Sequence, residues 1–178
     1  MSVIPKFTPE PYHSRTSLND AFGVMEVADG KIVRVTMPDG TKIIGDMWEA
    51  RFMTTIRGQP LIPYGKIYCN KVIASPLSWC LTEIAKLKDT YKINRFGCFS
   101  PRAKATNPKA VSLHSLGIAF DINPEKNPLQ ASSGPIVRGK DYDIPDSWIA
   151  IFESAGFLWG GHFKGRKDPM HFQYAVGV

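Results

Sequence analysis

Three cysteines among 178 residues, none of them in a Cys-x-x-Cys pair, exclude a disulfide-framed scaffold and a thiolate zinc knuckle. Cys69, Cys80 and Cys98 read instead as buried free thiols, with Cys80 on the apolar face of a helix. No run approaches the roughly 20 consecutive apolar residues that cross a bilayer, so no membrane span is expected. The opening Met-Ser-Val-Ile-Pro-Lys-Phe carries no apolar core followed by a small-residue cleavage site, and no secretory signal is expected. Internal repeats and low-complexity blocks are missing. So are zinc-finger spacing and any basic helix interleaved with aromatics, which leaves net charge as the sole argument for nucleic acid; no nucleic-acid partner is expected. Histidine is scarce too, at four in the chain.

What remains has the composition of one soluble globular domain, 43% hydrophobic and 21% charged, long enough to bury a core. The balance of 22 basic to 16 acidic residues leaves a net charge of +6, which fits ordinary solubility or an anionic partner. Basic residues gather late, at Lys164, Arg166 and Lys167.

Prolines at positions 5, 9 and 11 and many polar groups mark residues 1–22 as an irregular arm, with a single domain over 23–178. Residues 24–46 alternate apolar and polar side chains across Asp29-Gly30 and Asp39-Gly40. That predicts a meander of short strands with Val33 and Val35 on one face and Arg34 and Thr36 on the other. Gly58, Pro60, Pro63 and Gly65 punctuate residues 47–70, which read mostly as loop with a short strand near 66–68. Ser75-Pro76 predicts a helix start, after which Leu77, Cys80, Leu81, Ile84 and Leu87 recur on one face. A second helix is predicted from about Pro145 to Ala155, ended by Gly156. Residues 116–122 and 170–175 read as strands. Residues 123–144, rich in Pro, Asn, Ser and Gly, read as a long loop beside the site.

Two segments carry the chemistry. In Ser112–Asp121, His114 and Asp121 lie seven positions apart among small and apolar residues. Strand alternation puts them on opposite faces, so a turn around Ser115 to Gly117 is needed before both can serve one site. In Asp168-Pro-Met-His-Phe172, Pro169 keeps Asp168 out of helix and places the pair Asp168 and His171 at the entry to a strand. Taken singly, His171 reads as well as a satisfied core histidine and Asp121 as a strand-end cap. Jointly, two histidines and two carboxylates supply three metal ligands and a base, the minimum equipment of a zinc hydrolase.

The pattern Ser112-x-His114-x-x-Gly117-x-Ala119-x-Asp121, then Asn123-Pro124 and Asn127-Pro128, resembles the M15 zinc peptidases of bacterial cell-wall metabolism. The ending Gly156-Phe157-x-Trp159-Gly160-Gly161, then Asp168-Pro-Met-His-Phe172, is similar to their endolysin-like branch. The resemblance spans roughly residues 68–175. It implies an α+β fold of the hedgehog/DD-peptidase type, a small antiparallel sheet with helices packed on one side. It implies Zn(2+) held by His114, Asp121 and His171, with Asp168 as catalytic base and Arg102 stabilising the substrate carbonyl or a carboxylate. Ser112 would contact substrate or orient a ligand, and Trp159 and His162 are further substrate-binding candidates. His162 also reads as a surface side chain, because a glycine-flanked turn exposes what it carries. The implied activity is hydrolysis of the peptidoglycan stem peptide by a monomer that acts on the wall after release from the cytoplasm. L-alanyl-D-glutamate endopeptidase action of a phage endolysin is expected first, D-alanyl-D-alanine carboxypeptidase action second. The reading from another class is a non-catalytic phage structural or wall-binding protein that keeps the zinc fold.

Overall fold

Ser14 and Ser17 form a reciprocal capping box, in which each hydroxyl accepts the other's backbone N–H, and start helix α1 (Arg15–Phe22). The structure, a computed structural model, describes residues 4–104 and 107–177. The arm expected to be irregular over 1–22 therefore ends in a helix, and its Leu18 and Phe22 enter the core. Serine stands at the position where glutamate or glutamine usually marks such a box, which hid the helix start in the sequence.

The meander forms as the alternation predicts: β1 (Val24–Ala28), β2 (Lys31–Thr36) and β3 (Lys42–Ile44) pair antiparallel in that order. Its facing differs at one residue. Glu26 pairs with Arg34 and Val27 with Ile32, so Val33 is the extra residue of a bulge. The bulge turns Val33 out to solvent, while Ile32 and Val35 both face the core.

Residues 47–57, expected as loop, fall in α2 (Gly45–Phe52) and β4 (Met53–Arg57); β4 pairs with β5 (Lys66–Asn70). The Gly and Pro residues that suggested a loop are confined to the hairpin connection. Helix α2 has no capping side chain to announce it. Packing makes it: Trp48 is fully buried against Phe22 and Phe52, and its indole N–H donates to the Phe22 carbonyl at 2.8 Å. Gly45 is required at its start, because a Cβ there would lie 2.1 Å from the Ile32 carbonyl oxygen.

Helix α3 (Lys71–Lys86) begins before the Ser75-Pro76 pair, capped by the Asn70 side chain, which accepts from the Val72 N–H. Pro76 lies inside it, at the loss of one backbone bond. The expected stripe is buried from Leu77 to Ile84, and Leu87, at the C-cap, is exposed. All three cysteines are buried and free. Burial pushes the Cys69 thiol up to about 12 and Cys98 well above its ordinary value.

The second half supplies β6 (Phe96–Gly97), β7 (Ala103–Lys104), β8 (Asn107–Val111), β9 (Ala119–Ile122), α4 (Asp146–Ser154), β10 (Leu158–Trp159) and β11 (His171–Gln173). A four-stranded antiparallel sheet runs in the order β10-β11-β9-β6. On one face Phe120 stacks between Phe96 and Phe172, with ring centroids 5.2 Å away on each side. Phe152 of α4 covers that face, 4.8 Å from the Phe172 ring. The fold is α+β, with its strands divided among several small sheets rather than gathered in one.

Residues 123–144 contain no helix or named strand, as composition predicts. Two buried asparagines order this loop. Asn123 accepts from the backbone of Asn94 and Arg95 and donates to Lys92 O and Tyr91 Oη. Asn127 accepts from the N–H groups of Asp143 and Ile144, and donates to the carbonyls of Ile122 and Asn123 and to Tyr91 Oη. Asn127→Ala strands several buried polar groups at once and is expected to lower stability by about 2–4 kcal/mol. Urea unfolding with an unchanged m-value measures it; a shift below about 0.5 kcal/mol removes the loop-anchoring role.

Candidate metal centre and catalytic site

Antiparallel register places Asp121 of β9 directly opposite His171 of β11, on the face turned away from the phenylalanines. His114 comes from a 3-10 turn, Leu113–Leu116, rather than from a strand. The turn that strand parity demands is therefore present, with His114 inside it. Gly117 ends it in the left-handed region (φ 64), where a Cβ would also sit 2.7 Å from Met53 Cε and 2.9 Å from the Asn70 nitrogen. Asn70, fully buried, holds the turn through its side-chain donation to Leu116 O and its backbone donation to Gly117 O.

Three atoms converge. His114 Nε2 lies 3.3 Å from Asp121 Oδ1, His171 Nδ1 lies 3.1 Å from the same oxygen, and the two nitrogens are 3.2 Å apart. Both rings are occupied on their outer sides, His114 Nδ1 by the Cys98 carbonyl at 2.8 Å and His171 Nε2 by Gln173 Oε1 at 3.2 Å. A carbonyl only accepts, so His114 carries its hydrogen outward and directs a bare lone pair at the cluster. A tetrahedral zinc with ligands at 2.0–2.1 Å separates them by about 3.3 Å, which these spacings match. His114 and His171 are buried, while the Asp121 side chain keeps 20% of its surface open. Burial disfavours the Asp121 carboxylate, but His114 and His171, when protonated, outweigh it by hydrogen bonding and charge and hold the carboxyl well below the usual range.

Asp168 reaches this cluster by a different route. Its N–H donates to Gly160 O and its carbonyl accepts from His171 N, both at 3.0 Å. A Cβ on Gly160 would meet that carbonyl oxygen at 2.3 Å, and one on Gly161 would strike the Trp159 ring at 2.3 Å. Trp159 is buried, its indole N–H donating to Pro169 O at 2.8 Å. The Trp-Gly-Gly segment thus supports the loop that carries Asp168, and Trp159 offers no open face or free donor to a substrate. Among the described residues, Asp168 Oδ1 is buried without a hydrogen-bond partner. Burial and, less strongly, the charge of Asp121 raise its pKa above the usual value against the pull of His171, His114 and Arg166.

Arg102 lies in the segment beside the His114 turn. Ser115 Oγ donates to its carbonyl at 2.9 Å and accepts its N–H at 2.8 Å. The guanidinium has no hydrogen bond or ion pair among the described residues. Ser112 caps the His114 turn, its hydroxyl accepting the His114 N–H at 3.3 Å, so it orients the turn that carries His114. His162 is exposed and pairs with Glu153 at 2.8 Å on α4, the surface alternative weighed from sequence. Phe163 approaches closer, its ring 5.9 Å from that of His171. No motif announced Asn70, Ser115 and Gln173, whose side chains hydrogen-bond to the segments that carry His114, Arg102 and His171.

The family model described as D-alanyl-D-alanine carboxypeptidase matches residues 105–174, a span that holds His114, Asp121, Asp168 and His171. Arg102 falls just outside it. No curated protein and no solved structure matches the chain.

The half-buried Asp168, with its Oδ1 closed off from solvent, sets a pH dependence. A carboxyl whose folded pKa is raised binds its proton more readily in the folded state, so stability falls as pH rises from the ordinary carboxylate value through the raised one. Asp168→Asn in the metal-free protein is therefore expected to be at least as stable as the parent at neutral pH, with the difference vanishing in acid. Thermal melts across pH test this; a variant less stable at neutral pH contradicts the burial cost.

Proposed function

We propose that this chain, whose residues 105–174 match the family model described as D-alanyl-D-alanine carboxypeptidase, is an M15 peptidase and a zinc-dependent hydrolase of the peptidoglycan stem peptide. The observation that carries the proposal is the convergence of His114 Nε2, Asp121 Oδ1 and His171 Nδ1 beside a buried, unpartnered Asp168 oxygen. These three side chains would hold the ion. A zinc ion so bound supplies Lewis acidity and lowers the pKa of water to about 7.

The chain's own residues do the rest. Asp168, desolvated and free of hydrogen bonds at Oδ1, is the base that takes a proton from water and delivers it to the leaving amine. Arg102, fixed through its peptide by Ser115 and free at its guanidinium among the described residues, holds the carbonyl oxygen as it gains charge, or a substrate carboxylate. Three ligands leave one position open, whereas a structural zinc is closed by four, which argues against a non-catalytic wall-binding protein.

The L-alanyl–D-glutamate bond is the first candidate, on the endolysin-like Trp-Gly-Gly and Asp-Pro-Met-His-Phe segments. The D-alanyl-D-alanine bond is the second reading, favoured by the description of the matching family model. Action at the anionic cell wall accords with the net charge of +6.

Digestion of purified peptidoglycan, followed by mass spectrometry of the fragments, separates the readings. New D-glutamate amino termini support the endopeptidase, and free D-alanine supports the carboxypeptidase. No released product from zinc-loaded protein overturns both. Asp168→Ala is expected to keep its metal and lose about 10²- to 10⁴-fold in kcat; full activity in that variant removes the proton-transfer role.

A further inference from the structure

Gln173 lies two residues beyond His171 on β11, on the same face, and is buried. Its two amide atoms have separate tasks. Nε2 donates to the Ala175 carbonyl at 2.8 Å, and Oε1 faces His171 Nε2 at 3.2 Å. The Ala175 carbonyl accepts only, so the amide cannot be flipped without facing one acceptor with another. The oxygen must therefore point at His171, and the hydrogen of the neutral ring must sit on Nε2.

We infer that Gln173 is a positioning residue that selects the His171 tautomer, so that this histidine offers Nδ1 to the metal while His114 offers Nε2. The two ligands are set by different means. His114 is oriented by a backbone carbonyl, that of Cys98, which no substitution of a side chain removes. His171 depends on one side chain, which an ordinary substitution abolishes. Without it, a hydrogen on Nδ1 would point at Asp121 Oδ1, 3.1 Å away, and close the ligand set against a cation. Outer partners of this kind are worth about 10- to 100-fold in metal affinity.

The inference rests on the reading of the cluster as a metal centre, and its tests separate the two. Nitrogen-15 NMR of the metal-free parent, at a pH where both imidazoles are neutral, is expected to find the hydrogen of His114 on Nδ1 and that of His171 on Nε2. A hydrogen on His171 Nδ1 overturns the inference without any variant. Zinc affinity is then measured by chelator competition for the parent, Gln173→Leu and Gln173→Glu. Both variants lose the bond to Ala175, but Glu keeps an acceptor for His171. A loss of about 10- to 100-fold in Leu that Glu restores supports the assignment. Equal losses in both overturn it in favour of packing through Ala175. A parent that takes up no zinc while showing the expected tautomers overturns the metal centre and leaves the tautomer control standing. Should Gln173→Leu fail to fold, the NMR spectrum and the Glu variant decide: a Glu variant that binds zinc as weakly as a His171→Ala control overturns the inference.

Discussion

The register between β9 and β11 is the constraint on which the site depends. Side chains alternate along a strand, so the pairing that sets Asp121 opposite His171 also sets Phe120 opposite Phe172 on the other face. A slip of one residue would put Asp121 and His171 into the apolar layer and the rings into the site. The stack of Phe96, Phe120 and Phe172 under α4 fixes that register from below. Hydrophobic packing on one face thereby sets the spacing, on the other, of atoms that could hold a metal.

His114 and Asp168 lie outside that ladder, and each needs its own device. His114 sits in a turn that only a left-handed Gly117 can end, pinned to β5 and α3 through Asn70. Asp168 sits in a loop admitted by Gly160 and held by the Trp159 indole. The long loop joins the same segment, since Gln130 N donates to Lys167 O and Arg166 Nε donates to Gln130 O. The result is a carboxylate kept dry and unsatisfied beside a cluster of acceptors. Such an arrangement is unfavourable for the empty fold and useful for proton transfer.

The sequence revealed most where local patterns and short motifs coincide with the fold. The two Asp-Gly turns, the helix before Gly156 and the structureless stretch of 123–144 all follow from local rules. The parity conflict between His114 and Asp121 correctly demanded a turn. What stayed hidden depends on tertiary packing. Helix α2 exists because Trp48 is buried, the Val33 bulge because Glu26 and Val27 skip a partner, and α1 because a serine stands in for a glutamate. At the site, Asn70, Ser115 and Gln173 are ordinary polar residues in sequence, and only the fold supplies their hydrogen-bond partners. Trp159 was legible as part of a motif, and its buried indole supports the loop that carries Asp168.

The central claim is that two imidazoles and one carboxylate, with no thiolate, bind the metal at an open site. The Cys98 thiol offers a stringent contrast, because it donates to Gly117 O just behind the ligand-bearing turn and is held protonated by burial. X-ray absorption spectroscopy of the protein loaded with stoichiometric zinc tests the claim most directly. The account predicts a shell of light atoms alone at about 2.0–2.1 Å, with imidazole scattering from two rings. A sulfur shell at about 2.3 Å, or scattering from one imidazole or none, would contradict it.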